Sequence, residues 1–304
     1  MANTILIIGA TGKQGGAVID ALCSASDISD ISILAVTRNP ESRGAKALTA
    51  KSDRIKLVKG DLDDCDSIFR AAGVPIKAVF GVSMPVMGPW AKPHAEEVQG
   101  KALVDVALAH GVEHFVFTSV ERHGSDSDTN PTDVPHFASK FNIEKHLKEK
   151  SVDKMTWTIL RPVAFMDAIT PGFAGKILPT AWKYGLSPTI KLQLIACADI
   201  GWFGAQALLR PKDFAGRAIS LAGDDLTFEE ANAVFKEKVG EDLPTTWGFL
   251  IRFVLWAVND VRLMFQFFEK VGYAADIGGL RREHPGLQSF GDFLNTSVFV
   301  AKMK

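Results

Sequence analysis

Gly9, Gly12 and Gly15 stand three residues apart, directly after the apolar run Ile5, Leu6, Ile7, Ile8. Such a run reads as a strand buried on both faces, and the residues after the glycines read as a helix. In that setting each glycine has a mechanical task. The first turns the chain off the strand, the second lets backbone approach a pyrophosphate, and the third lets the helix pack closely on the strand. Unpaired N–H groups and the helix dipole attract the anion, so Thr4 to Ala17 is expected to cradle a dinucleotide. A glycine-rich turn without a ligand is the plain alternative.

Three further positions suit the rest of such a ligand. At the end of a second strand, where Asp or Glu would meet a free ribose 2'-hydroxyl, stand Thr37 and Arg38. A guanidinium pairs with a 2'-phosphate and stacks on adenine, so Arg38 points to NADP(H). Asp61, just past a third strand, can face the adenine, while Asp63 or Asp64 reads as a helix N-cap. Val82 and Ser83 end a fourth strand and are expected to line the cofactor; Met84 to Trp90 forms either a substrate lip or a plain connection.

Groups suited to proton transfer come later. His136 and Lys140 stand four apart, so one helix face can aim both at one pocket. A lysine beside a nicotinamide can hold ribose hydroxyls, or donate a proton if burial and the neighbouring cationic ring lower its pKa. A surface lysine on an amphipathic helix is the alternative. Ser119, at the end of a fifth strand, is placed to hydrogen-bond a substrate carbonyl.

The elements that must position these groups alternate strand and helix: Ile5–Ile8, Ile31–Thr37, Ile55–Val58, Ala78–Val82, His114–Val120 and Trp157–Leu160 as strands, with amphipathic helices between. This predicts an α/β, NAD(P)-binding Rossmann fold with a doubly wound parallel sheet. Residues 1–162 would form that domain, completed by 192–222, and 163–191 with 223–304 would form a smaller, mostly helical substrate lobe. Asp199 is expected to cap a helix over Ile200–Leu209, and Thr227 with Glu230 to form a capping box. The aromatic residues Trp247, Phe249, Phe253, Trp256, Phe265, Phe267 and Phe268 are expected to be mostly core, with some walling an apolar substrate pocket.

Composition narrows the function classes. The chain has 34 basic and 35 acidic residues among 304, a net charge of -1 that points to neither nucleic acid nor a membrane. Cys23, Cys65 and Cys197 have no metal-ligand spacing and read as reduced thiols. No signal-peptide pattern precedes the first strand, which gives a cytoplasmic expectation. The greasy stretch Trp247–Val258 is too short to span a bilayer and carries Arg252.

Taken together these motifs resemble the NmrA-like family of atypical short-chain dehydrogenase/reductase proteins, over essentially the whole chain. Gly9-Ala-Thr-Gly-Lys-Gln-Gly-Gly16 resembles its opening motif, Thr37-Arg38 its NADP-preferring strand end, and Gly60-Asp61-Leu62 its adenine-side turn. His136-Phe-Ala-Ser-Lys140 and Phe267 to Ile277 are also similar in kind. The resemblance implies that Gly9, Thr11, Gly12, Lys13, Gln14, Gly15, Arg38, Asp61, Leu62, Val82, Ser83, Lys140 and Pro162 meet the dinucleotide. It also marks a departure, because the tyrosine that normally precedes the lysine by four is His136 here. Some relatives with that loss are thought to sense the NADP pool and bind protein partners; isoflavone reductase-like relatives without it are understood to use the lysine. The two expectations are therefore an NADP(H)-dependent reductase of a small apolar carbonyl or enone, with Lys140 and His136 as proton donors and Ser119 orienting the substrate, and a non-catalytic NADP(H)-reading regulator.

Overall fold

A computed structural model describes residues 3–25, 30–85 and 94–301. The strands are β1 (Asn3–Ile7), β2 (Ile31–Thr37), β3 (Ile55–Lys59), β4 (Ala78–Val82), β5 (His114–Thr118), β6 (Thr156–Pro162), β7 (Ala164–Phe165), β8 (Leu192–Ile195), β9 (Arg217–Leu221) and β10 (Asp224–Leu226). The first seven helices are α1 (Lys13–Ser24), α2 (Arg43–Thr49), α3 (Cys65–Ala72), α4 (Ala95–Ala109), α5 (Pro135–Lys150), α6 (Ile177–Gly185) and α7 (Cys197–Leu209). They are followed by α8 (Pro211–Phe214), α9 (Phe228–Val239), α10 (Gly248–Ala257), α11 (Asn259–Lys270), α12 (Ile277–Glu283), α13 (Phe290–Thr296) and α14 (Val298–Ala301).

Seven strands pair in the order β3-β2-β1-β4-β5-β6-β9, all in parallel. The chain starts at the middle of the sheet and winds outwards both ways, which is the Rossmann order, and every strand delivers its carboxyl end to one edge. Strand periodicity explains why both faces are covered. Ile5 and Ile7 of β1 join α1 and α7 in one core, whereas Leu6 and the following Ile8 join α3, α4 and α5 in another.

A third core, around Trp182, Phe235 and Phe290, holds the later helices together. Its helix starts are locally encoded: Thr227 with Glu230 and Ser289 with Asp292 both form complete capping boxes. Two expectations change here. β8 lies in a small sheet of order β10-β8-β7, so only β9 of the stretch 192–222 joins the large sheet. Helix α7 starts at Cys197 rather than Ile200, because Asp167, distant in sequence, accepts the Cys197 N–H at 2.7 Å and takes over the capping role. Asp199 instead accepts the Gln288 N–H at 3.2 Å and meets His284 Nε2 at 3.2 Å.

The aromatic stretch divides. Phe265, Phe267 and Phe268 are buried, but Trp247, Phe249, Phe253 and Trp256 are exposed. No helix among the described residues is long and apolar enough to cross a membrane.

One buried histidine ties stability to pH. His114, at the start of β5, places Nδ1 2.8 Å from Thr156 Oγ1 and Nε2 3.2 Å from Thr158 Oγ1. Burial pushes its pKa down from 6.5 to about 4. Between those values the unfolded chain binds a proton that the folded chain refuses. Stability is therefore intact above the unfolded pKa and is lost as pH falls towards the folded one. His114→Asn keeps polar contacts but removes the titration. It is expected to shrink the acid-side loss of unfolding free energy by up to about 3 kcal/mol. Parallel pH profiles for the two proteins in urea unfolding would refute this.

Candidate functional site

The turn after β1 is built for close approach of backbone. Gly9 has φ +66°, and a Cβ there would lie 2.5 Å from Val82 Cγ1. A Cβ on Gly15 would lie 2.4 Å from the Gly9 carbonyl oxygen, so α1 reaches the end of β1 only because that atom is missing. The Gly12 N–H donates to the Gly9 carbonyl at 2.8 Å and closes the turn. Gly12 then caps α1 without any side chain, and no acid occupies the first turn. The positive helix end is thereby left to an anion. These residues fit a dinucleotide pyrophosphate.

Along the carboxyl edge the expected cofactor residues fall into groups. At the β2 and β3 ends, Arg38 Nε stands 4.0 Å from Asp61 Oδ2, with the Arg38 side chain 84% exposed. Such a pair is weakly held and leaves the guanidinium available to a phosphate. Asp61 also accepts the Asp63 N–H at 3.1 Å, starting the short turn at half-buried Leu62, while Asp64 caps α3. Thr11 is exposed beside Gly12. Lys13 donates from Nζ to the Asp167 carbonyl at 2.5 Å, and Gln14 Oε1 accepts from Thr118 Oγ1 at 2.6 Å, so the start of α1 is tied to the β5 end and to the segment after β7. Pro162 is buried at the end of β6. Of the expected lip, residues 86–90 lie outside the described residues.

Lys140 projects from α5 to the β4 end, where Nζ donates to the Ser83 carbonyl at 3.1 Å and pairs with Glu96 Oε1 at 2.8 Å. Glu96, on α4, also accepts from Ser83 Oγ at 3.0 Å and Ser139 Oγ at 2.5 Å. Lys140 and Glu96 are 8% and 6% exposed. A carboxylate with three donors compensates the buried ammonium and fixes its position.

His136 and Lys140 share α5 but not their partners. His136 Nδ1 hydrogen-bonds Asp260 of α11. Ser119 is buried, donates to Glu144 and receives Arg122 Nη1 at 3.4 Å. Its hydroxyl belongs to a buried charge cluster in which Glu144 also binds Arg122 at 3.0 Å and Arg161 at 2.6 Å, and Arg161 reaches Asp128 at 2.8 Å. Burial lowers the Arg122 pKa against the opposing pull of Glu144. Burial acts likewise on Arg161, but Glu144 and Asp128 together raise its pKa.

Glu96, Asp260, Asp167 and the Glu144 cluster escape a reading of the sequence. Their partners are far along the chain and leave no local pattern. One signal existed: Phe137, Lys140, Glu144 and Leu147 share helical spacing, so the buried stripe of α5 carries two charges. A cavity of about 630 Å³ opens between α1 and α7 beside Gly12 and Lys13, and its lining includes neither Arg38 nor Lys140. Among the described residues no cluster of side chains could hold a metal ion.

Known proteins share this fold. The chain is 25% identical over 303 residues to the NmrA-like family domain-containing oxidoreductase FrzB of Cladobotryum sp., covering 90% of this chain and 85% of that one. Its fold matches the triphenylmethane reductase of Citrobacter sp., solved with NADP(H), at TM-score 0.72 and 18% identity over 99% of this chain and 100% of that one. It also matches NmrA, a negative transcriptional regulator solved with NAD, at TM-score 0.69 and 16% identity over 99% and 96% of the two chains. The profile of the NmrA-like family matches residues 1–280. The chain belongs to the NmrA-like family.

Proposed function

We propose that this protein binds NADP(H) and reduces a carbonyl or enone of a small apolar molecule, with Lys140 meeting the substrate oxygen. The observation that carries this reading is the fixed ammonium of Lys140 beside Ser83 at the carboxyl edge. When bound, the nicotinamide supplies a hydride to the substrate carbon. The cradle at Gly9 to Gly15 holds the pyrophosphate, and Arg38 favours the cofactor that carries a 2'-phosphate. Lys140 stabilises negative charge on the oxygen and passes it a proton from Nζ, which water restores. Glu96 acts through Lys140 by holding it in place. Residues 163–191 and 223–304 supply the wall on the substrate side.

A specific observation favours a second reading, a regulator that reads the cofactor without turnover. Lys140, His136 and Ser119 are each already bound to a carboxylate, respectively Glu96, Asp260 and Glu144. One set of measurements separates the two. NADPH and NADH are titrated against tryptophan fluorescence, and carbonyls and enones are screened for NADPH oxidation with the native protein and Lys140→Met. The reductase reading expects tighter binding of NADPH and turnover that falls about 100-fold or more in the variant, with NADPH affinity changed little. Silence across a broad panel selects the regulator. A large affinity loss in the variant reduces Lys140 to a cofactor clamp.

A further inference from the structure

Seven of the thirteen large apolar side chains exposed among the described residues fall within residues 173–184 and 247–256. Scattered exposure is ordinary, but a gathered apolar surface calls for a partner. The two segments make one face. Helix α6 packs along α10, and Gly248 sits against the Tyr184 ring. Phe173, Lys176 and Trp247 line a common groove of about 650 Å³. On α10 itself, Phe249, Phe253 and Trp256 follow one helical stripe that points outwards, while Ile251 is buried. Their rings are gathered rather than splayed: Trp247 stacks on Phe249 at 6.0 Å, and Phe253 lies 5.8 Å from Trp256.

Charge identifies what fits this face. No Asp or Glu occurs between Asp167 and Asp199, nor between Asp242 and Asp260, whereas Lys176, Lys183, Lys191 and Arg252 do. Carboxylates of other elements stand near two of the four, Asp242 near Lys183 and Asp225 with Glu230 near Lys191, while Lys176 and Arg252 form no ion pair among the described residues. A second copy of the chain meeting the same face about a two-fold axis would bring these cations towards one another. A surface of anionic lipid complements both properties: phosphates meet the lysines and arginine, and the rings enter the boundary between headgroups and acyl chains. Tryptophans at both ends of α10, Trp247 and Trp256, suit a helix lying along that boundary. With ten residues, α10 is far too short to span a bilayer.

We propose that the α6–α10 face docks on an anionic bilayer surface. The docking does not depend on whether the cofactor is used for reduction. The test is cosedimentation of the whole protein with vesicles of phosphatidylcholine alone and of phosphatidylcholine with about one third phosphatidylserine. The expected result is partition onto the anionic vesicles that weakens with salt, accompanied by a shift in tryptophan emission. The double variant Phe253→Ser, Trp256→Ser should lower that partition about tenfold or more, since each ring contributes a large apolar area. Circular dichroism checks that the variant is folded, as both side chains are exposed. Arg252→Gln with Lys183→Gln should remove the preference for phosphatidylserine. Failure to partition onto either vesicle, equal partition onto both, or partition unaffected by the aromatic variant would each overturn the proposal. So would a dimer at the working concentration that the aromatic variant converts to monomer, because a second copy would then cover the face.

Discussion

Glu144→Gln is expected to lower the unfolding free energy by about 3–5 kcal/mol, the cost of breaking a buried ion pair from one side. Glu144 is 2% exposed and is the carboxylate on which Ser119, Arg122 and Arg161 converge. Glutamine has almost the same shape, but it loses the charge and turns an amino group towards donors. Arg161 would keep Asp128 at 2.8 Å. Arg122, fully buried, would keep the carbonyls of Val120, Ser127 and Asn130, at 2.9, 2.6 and 3.2 Å, and the Ser119 hydroxyl at 3.4 Å, all of them neutral. Those dipoles do not compensate a buried cation as a carboxylate does. The partner experiment is Arg122→Met combined with Glu144→Met. If the loss comes from a stranded charge, the double variant should be less damaged than Glu144→Met alone, a non-additivity that urea unfolding of the two single methionine variants and the double one measures directly. A loss below about 1 kcal/mol in Glu144→Gln would show that the cluster tolerates the charge through water or Asp128.

Gly15→Ala is the second large effect, and it acts on binding as well as on the fold. The added methyl would stand 2.4 Å from the Gly9 oxygen, 2.7 Å from its carbon and 3.0 Å from the Ala10 nitrogen. All three are backbone atoms, so no side chain can swing away, and α1 must retreat from the end of β1. Overpacking of this kind costs about 1–3 kcal/mol. The retreat also moves the first-turn N–H groups away from the pyrophosphate, and NADPH affinity should fall about tenfold or more. Gly16→Ala is the internal control. Its methyl would lie 3.6 Å from the Ala10 oxygen, an ordinary contact. Helix propensity should then make this variant neutral or more stable by up to about 1 kcal/mol. Equal affinity losses in Gly15→Ala and Gly16→Ala would mean that the close approach of α1 to β1 does not shape the phosphate site.

The contrast between these two sites shows what could be read along the chain. The cradle at Gly9 to Gly15 is legible because strand, turn and helix are adjacent in sequence, and backbone geometry restricts the residues that fit. The same holds for the capping box at Thr227 and Glu230, and for the alternation that sends Ile5 and Leu6 to opposite faces. The large sheet follows, since right-handed crossovers leave few ways to arrange consecutive parallel strands.

Lys140 was identifiable as a candidate from its place on α5, yet its partner Glu96 lies 44 residues earlier and is brought to it only by the packing of α4 on α5. Ser119 lies at the carboxyl end of β5, but burial beside Glu144 decides what its hydroxyl binds. The exposure of Phe253 and Trp256 is likewise a tertiary fact, because hydrophobicity alone does not say which side of a helix finds a partner. By itself, then, the sequence determined the elements, the phosphate cradle and the edge along which a cofactor would lie, all set by local geometry and periodicity. Only the tertiary structure decided which buried charges compensate one another and which aromatic face remains open, since pairing and burial depend on residues that the chain brings together from afar.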